Sequence, residues 1–264
     1  MSGKRIDWRD AVVVITGGSS GIGLAVGRQA AQRGARVGLI ARNEDDLRQA
    51  CDDIGDNTAY AVADVGDREQ IERAVQSFMS RHGHIDVLVC SAGTGAYGSF
   101  RSMDPGQVER LLRTNVSGTL NATRAVLDSM IERRGGHIVL LGSIAGLVGV
   151  PYEAAYSATK FALTGFADGL AGEVAQHGIG VSVVSPGPVD TPFFDARGAP
   201  YARKRPRPVA PERVASAVIG AVEHRRAEVI VPARLRVAVA VRALAPSLYR
   251  WGARKSATRN DAAS

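Results

Sequence analysis

The residues best suited to chemistry in this chain are Tyr156 and Lys160, four apart in Tyr156-Ser157-Ala158-Thr159-Lys160, with Ser143 thirteen residues upstream. On a helix that offset puts a phenol and an ammonium on one face, about one turn apart. A free tyrosine has a pKa of about 10, and a neighbouring cation draws it towards the working range of a general acid or base. The lysine also brings three donors that can hold a sugar hydroxyl. A Tyr-x-x-x-Lys pair alone equally describes an exposed helical pair, so its meaning rests on its surroundings.

Those surroundings are strands and helices in alternation. Short apolar, β-branched runs predict strands at 11–16, 37–41, 58–62, 85–90, 137–141, 179–185 and 228–231. Helical patterns follow to about 33 and at 43–54, 67–82, 105–133, 151–176 and 211–223, with Ile71, Val75 and Phe78 on one face of the third. Apolar strands alternating with helices predict an α/β fold, a doubly wound parallel sheet covered on both faces. Pro151 is placed to start the helix that carries Tyr156 and Lys160.

The strand ends carry the remaining candidates. Thr16-Gly17-Gly18-Ser19-Ser20-Gly21-Ile22-Gly23 leads from the first strand into a helix, a geometry that sets backbone N–H groups and a helix N-terminus against a diphosphate. The second strand ends at Ala41-Arg42, where an acid would bind both ribose hydroxyls and an arginine fork instead pairs with a 2′-phosphate. This favours NADP(H) over NAD(H); the bland reading is a solvated charge at a strand end. Asp64-Val65 stands where an adenine edge would be read, and Ser91-Ala92-Gly93-Thr94-Gly95 leaves room for a flat ligand. Ser143, Gly93 and Pro186-Gly187 all fall at carboxyl ends of strands, where open α/β sheets bind ligands. Asn115 sits mid-helix before Val116-Ser117-Gly118, all mediocre helix formers. Either the helix is merely imperfect there, or a kink frees the asparagine to hold a water or expose a carbonyl.

Composition bounds the rest. With 264 residues and 45% hydrophobic content, the chain fits one α/β domain over 1–232. Cys51 and Cys90 have no CxxC or histidine partners, so no disulfide framework or metal site is expected, in keeping with a reducing cytoplasm. The apolar run after Lys4-Arg5 is too short for a signal peptide and is expected to be a strand; no apolar run is long enough to span a membrane. From Tyr201 onward there are 14 Lys/Arg against 4 Asp/Glu, so the basic character lies in the C-terminal quarter. Residues 190–211 read as a mobile lid, Pro/Arg-rich and irregular from 193 onward, and 233–264 as a basic amphipathic extension. That extension either binds an anionic membrane peripherally, with Trp251 and Tyr249 as anchors, or packs on the domain or a second subunit. Nucleic acid is not expected, since no reading module accompanies the basic segment.

Together, Thr16-Gly-x-x-x-Gly21-x-Gly23, Asp64, Asn115, Ser143, Tyr156-x-x-x-Lys160 and Pro186-Gly187 with Thr191 resemble the short-chain dehydrogenase/reductase family in its single-domain branch, over roughly 10–232. The resemblance implies a Rossmann-type sheet of seven parallel strands and an alcohol/carbonyl oxidoreductase with a nicotinamide cofactor; the alternative from another class is a non-catalytic nucleotide-sensing or interaction protein on the same fold. It implies that Tyr156 exchanges a proton with the substrate oxygen, Ser143 polarises it, Lys160 lowers the tyrosine pKa and binds ribose, and Asn115 anchors a relay water. The cofactor would lie along Gly17, Ser19, Ser20, Gly21, Ile22, Gly23, Arg42, Asp64, Val65, Ala92, Gly93, Tyr156, Lys160, Pro186 and Gly187, with Val189 and Thr191 at the carboxamide. Leu147, Val148, Tyr152, Phe193 and Phe194 point to a lipophilic substrate beside Ser143 and Tyr156. Homodimers or homotetramers through helices 105–133 and 151–176 are expected by resemblance. Cys90-Ser91-Ala92-Gly93 departs from the family's Asn-Asn-Ala-Gly, and both amides are missing.

Overall fold

A computed structural model describes residues 6–201 and 206–261. Its strands are β1 (Val12–Thr16), β2 (Arg36–Ala41), β3 (Thr58–Val62), β4 (Val87–Cys90), β5 (Gly136–Leu141), β6 (Ile179–Pro186) and β7 (Glu228–Val231). The helices are α1 (Gly21–Ala31), α2 (Glu44–Ile54), α3 (Arg68–His82), α4 (Pro105–Leu111), α5 (Gly118–Glu132), α6 (Ala154–Val174), α7 (Phe193–Ala196), α8 (Pro211–Glu223), α9 (Arg236–Leu244) and α10 (Pro246–Asp261). The strands form one parallel sheet in the order β3-β2-β1-β4-β5-β6-β7. This is a Rossmann-like doubly wound fold whose strand order reverses between β1 and β4, the place where such sheets open a crevice.

Period-two alternation divides the core. In β1, Val13 and Ile15 pack with Ala25 and Val26 of α1, Leu47 of α2 and Val214 and Val218 of α8. Val12 and Val14 face the other way, towards Ile71, Val75 and Phe78 of α3, Ala122 of α5 and Ala167 of α6. Two helical layers therefore cover both faces. Asn43, Asp67 and Asp104 cap α2, α3 and α4 through their side chains, so the expected starts at 43 and 67 move one residue inward.

Three expectations need correction. The single helix at 105–133 is two helices joined by a π-helical turn, Leu112–Ser117, so the weak helix formers mark a local widening of the helix. The helix carrying Tyr156 begins at Ala154, not Pro151, because Tyr152 takes a left-handed φ of 65° that ends any helix before it. The segment at 193–211 is not irregular throughout: it opens with α7, and residues 202–205 lie outside the described residues. Its ends are pinned by a bridge between Val189 and Val209.

His137 in β5 shows what burial costs a titratable group. Ser182 Oγ gives its proton to the Arg226 carbonyl at 2.6 Å, so the 2.7 Å contact from His137 Nε2 must carry a proton on that nitrogen; Nδ1 has no partner. Burial, reinforced by the Arg225 charge, pulls the histidine pKa from 6.5 down to about 3. The unfolded chain takes up this proton near 6.5 and the folded chain only near 3. The contribution to stability is thus complete above the first value and lost as the pH falls towards the second. Unfolding free energies of His137→Gln from urea titration are expected to show a pH slope in that window shallower than wild type by about 1.4 kcal/mol per pH unit. An unchanged slope would show that this histidine is not held neutral.

Candidate active site

The parallel register brings the strand ends to one rim. Thr16 lies beside Ile40 of β2 and Cys90 of β4, and Cys90 beside Leu140 of β5, so the segments after β1, β2, β4 and β5 leave the sheet together. Gly17, Arg42, Gly93 and Ser143 follow those ends within three residues. Arg42 is exposed and has no ion-pair partner among the described residues. Asp64, after β3, accepts from the Gly66 amide at 2.9 Å and pairs with Arg113 of the π turn at 3.1 Å. Buried Val65 follows it, its carbonyl held by Asn121 at 3.0 Å.

The turn from β1 into α1 admits no side chain where the backbone closes on itself. A Cβ at Gly17, whose φ is +66°, would lie 2.7 Å from the Ala92 Cα and N, and one at Gly23 would strike the Gly17 carbonyl. Ser20 stands extended at the head of α1 and makes no capping bond with its side chain. The first amides at Gly21, Ile22 and Gly23 thus present a positive helix end beside half-buried Ser19, and this cradle fits a diphosphate. Thr191 closes the far side, 3.2 Å from where a Gly21 Cβ would stand, with buried Val189 two residues before it.

Ser143, Tyr156 and Lys160 meet at the middle of the rim. Ser143 Oγ accepts from the Ala145 amide at 3.1 Å, which aims the hydroxyl, and it stands close enough to the Tyr156 phenol to lower its pKa. Lys160 Nζ donates to the Leu141 carbonyl at 2.8 Å and stands 5.8 Å from the centre of the Tyr156 ring. Burial pulls the lysine pKa down to about 8. Burial likewise raises the tyrosine pKa above 10, with the Ser143 hydroxyl and the Arg197 charge acting the other way and Glu153 adding to the rise. The lowering expected from Lys160 is not among these influences, and the phenol keeps its proton at neutral pH.

Asn115 does something more specific than kink a helix. It is completely buried, its Oδ1 accepts from the Thr94 amide at 2.8 Å, and its Nδ2 donates to the Thr94 carbonyl at 2.9 Å and to Thr159 Oγ1 at 3.0 Å. Its own carbonyl accepts from Thr119 Oγ1 at 2.9 Å. The loop after β4 is thereby held without the two missing amides, helped by Thr16 Oγ1, which accepts from the Ala92 amide at 3.3 Å. Cys90 is buried there with its pKa pushed up to about 12, so it is no nucleophile.

The segment after β6 closes over this cluster. The Phe193 ring lies 5.6 Å from Tyr156 and so close to the backbone of Gly95 that a Cβ there would approach it to 2.6 Å. Tyr156 and Phe193 join Ala96, Leu111 and Ala145 in an apolar cluster. Leu147 is buried, whereas the Tyr152 ring lies tilted 5.9 Å from Tyr97 and Phe194 lies against Phe193 and Tyr201. Two further residues hold this arrangement and were missed in the sequence. Arg197 and Glu153, both largely buried, pair at 2.9 Å, and the guanidinium also lies over the rings of Phe194 at 4.6 Å and Tyr97 at 5.1 Å. Arg197 thus ties the lid to the residue preceding α6. Replacing it with methionine leaves Glu153 without a partner, a change that typically costs about 3–5 kcal/mol in a buried pair. For Arg197→Met, faster amide hydrogen exchange at 193–198 is expected, with protection in β1 and β4 unchanged. Unchanged exchange at 193–198 would show that the pair does not hold the lid.

A sequence profile described as short chain dehydrogenase matches residues 11–201. Dehydrogenase/reductase SDR family member 7B of Bos taurus is 33% identical over 258 residues, 91% of this chain and 79% of that protein. The 3-ketodihydrosphingosine reductase of Mus musculus is 37% identical over 200 residues, 73% of this chain and 60% of that protein. A solved variant of actinorhodin polyketide ketoreductase with NADPH aligns at TM-score 0.78 and 30% identity, covering 86% of this chain and 97% of its own. A short chain dehydrogenase/reductase from Burkholderia phymatum in complex with NAD shares the fold at TM-score 0.85 and 23% identity, covering 92% and 96%. By sequence and by fold alike, the chain belongs to the short chain dehydrogenase family.

Proposed function

We propose that this protein is an NADP(H)-dependent oxidoreductase that interconverts a lipophilic ketone or aldehyde and the corresponding alcohol. The observation that carries the reading is the gathering of Ser143, Lys160 and a buried, protonated Tyr156 beside a glycine cradle fit for a diphosphate. Gly17 and Ser19 to Gly23 would hold the diphosphate, Arg42 the 2′-phosphate, Asp64 and Val65 the adenine edge, and Ala92, Gly93, Tyr156 and Lys160 the ribose side. Pro186, Gly187, Val189 and Thr191 would receive the carboxamide. When bound, the nicotinamide supplies or accepts the hydride.

The chain's own residues handle the proton. In reduction, Ser143 and Tyr156 converge on the carbonyl oxygen, and their hydrogen bonds strengthen as negative charge develops on it. Tyr156 then gives up its proton. Because burial keeps the phenol protonated, the site is set for reduction at neutral pH, and oxidation gains as the pH rises. Lys160, fixed by the Leu141 carbonyl, offers its remaining donors towards the ribose position. The apolar faces of Phe193, Ala96, Leu111 and Ala145 around Tyr156 support a lipophilic substrate. Two of the similar proteins are named as reductases of keto groups, which agrees in kind.

The solved neighbours hold NADPH in one case and NAD in the other, so Arg42 bears the cofactor choice. Fluorescence titration is expected to give tighter binding of NADPH than of NADH, and Arg42→Ala is expected to cost NADPH at least about tenfold, or 1.4 kcal/mol, while leaving NADH unchanged. Preference for NADH, untouched by the substitution, would make the enzyme NAD-linked. Binding of neither would sink the oxidoreductase reading.

A further inference from the structure

The C-terminal extension is two helices that the proposed chemistry does not use. Its first part is fastened to the rim of the site. Arg242 of α9 donates to the Leu147 carbonyl at 2.9 Å and lies 4.7 Å over the Phe161 ring, and the Tyr249 hydroxyl of α10 donates to the Gly149 carbonyl at 2.6 Å. Leu235 sits so close to Gly187 that a Cβ there would come within 2.6 Å. The pair of helices therefore has a fixed orientation against the body.

What it turns outward is apolar and basic together. Val237 and Leu244, seven residues apart on α9, are 68% and 87% exposed. Leu248 and Trp251, three apart on α10, are 57% and 56% exposed. These four are half of the large apolar side chains exposed among the described residues. Between α9 and α10 an open groove of about 340 Å³ is lined by Ala238, Val241, Leu248 and Trp251. No acidic residue occurs between Pro232 and Lys255 in the sequence, and Arg234, Arg236 and Arg250 have no carboxylate partner among the described residues.

We propose that α9 and α10 form a docking surface for an anionic lipid bilayer, with Val237, Leu244, Leu248 and Trp251 entering the interface and the arginines meeting lipid phosphates. The occupant follows from charge. A second copy of this chain placed on the patch about a two-fold axis would set arginine against arginine, which opposes association. A nucleic acid would satisfy the arginines but give four protruding apolar side chains nothing to bury in. An anionic bilayer answers both, because apolar burial and attraction to the charged headgroups add. Docking in this pose holds the rim segments at Leu147, Gly149 and Gly187 close to the bilayer.

The test is cosedimentation of the full chain with vesicles of phosphatidylcholine mixed with phosphatidylserine, against vesicles of pure phosphatidylcholine. The variants are Leu244→Glu and the triple Arg234→Gln/Arg236→Gln/Arg250→Gln, all at exposed positions outside the proposed catalytic machinery. The full chain is expected to bind the mixed vesicles, less so at high salt, and each variant to weaken binding at least about tenfold while keeping its circular dichroism spectrum and NADPH titration. Equal binding to both vesicle types, binding to neither, or variants that bind like wild type would overturn the proposal. So would a dimer in gel filtration that Leu244→Glu splits, since a second copy would then own the surface.

Discussion

One buried side chain couples the parts of the site that come from different elements. Asn115 has no access to solvent, so each of its polar atoms must find a partner inside the protein, and a lost one costs about 1–3 kcal/mol. It meets that demand by clamping both backbone groups of Thr94 and by donating to Thr159, whose hydroxyl in turn donates to the Tyr156 carbonyl at 2.7 Å. The loop after β4, the π turn and α6 are thereby fixed to one another. The π turn is what makes this possible: one additional residue in the helical turn aims the asparagine inward while α4 and α5 continue on either side.

Around this clamp, burial sets the electrostatics. Taking Lys160 and Tyr156 out of water pushes their pKa values in opposite directions, each towards its neutral form. The site answers with a carbonyl that holds the ammonium and a serine hydroxyl that lowers the phenol's pKa. The Arg197–Glu153 pair lies next to both the lid and the phenol, so the contacts that seat Phe193 over the ring also bear on the proton it holds. The contacts that hold the lid and the electrostatics of the phenol are in this way physically linked.

Much of this could be read in the sequence where the cause was local. The strands lie in β-branched apolar runs such as Val12–Thr16, and the glycines at 17, 21 and 23 report a turn that only a bare backbone can make. Ser143, Tyr156 and Lys160 could be singled out by residue type and spacing, and the fold does bring them together. What escaped was non-local. Arg197 and Glu153 are 44 residues apart, and Arg242 reaches Leu147 across 95. A charge in a Pro/Arg-rich stretch gives no sign that its partner waits beneath a lid. The start of α6 was missed because Pro151 suits a helix start while the left-handed Tyr152 after it forbids one. The balance at Tyr156 was misjudged for the same reason: spacing reveals the nearby cation, and only packing reveals how dry the ring is.

In the reaction we propose, Tyr156 gives its proton to a carbonyl as a hydride arrives from NADPH. Mass spectrometry of the alcohol formed from an apolar ketone with NADPH deuterated at the transferred position tests this most directly. Wild type is expected to place one deuterium on the carbinol carbon, with Tyr156→Phe binding NADPH normally but forming labelled alcohol about 10²–10⁴-fold more slowly. Undiminished labelling in Tyr156→Phe, or none in wild type with NADPH bound, would contradict it.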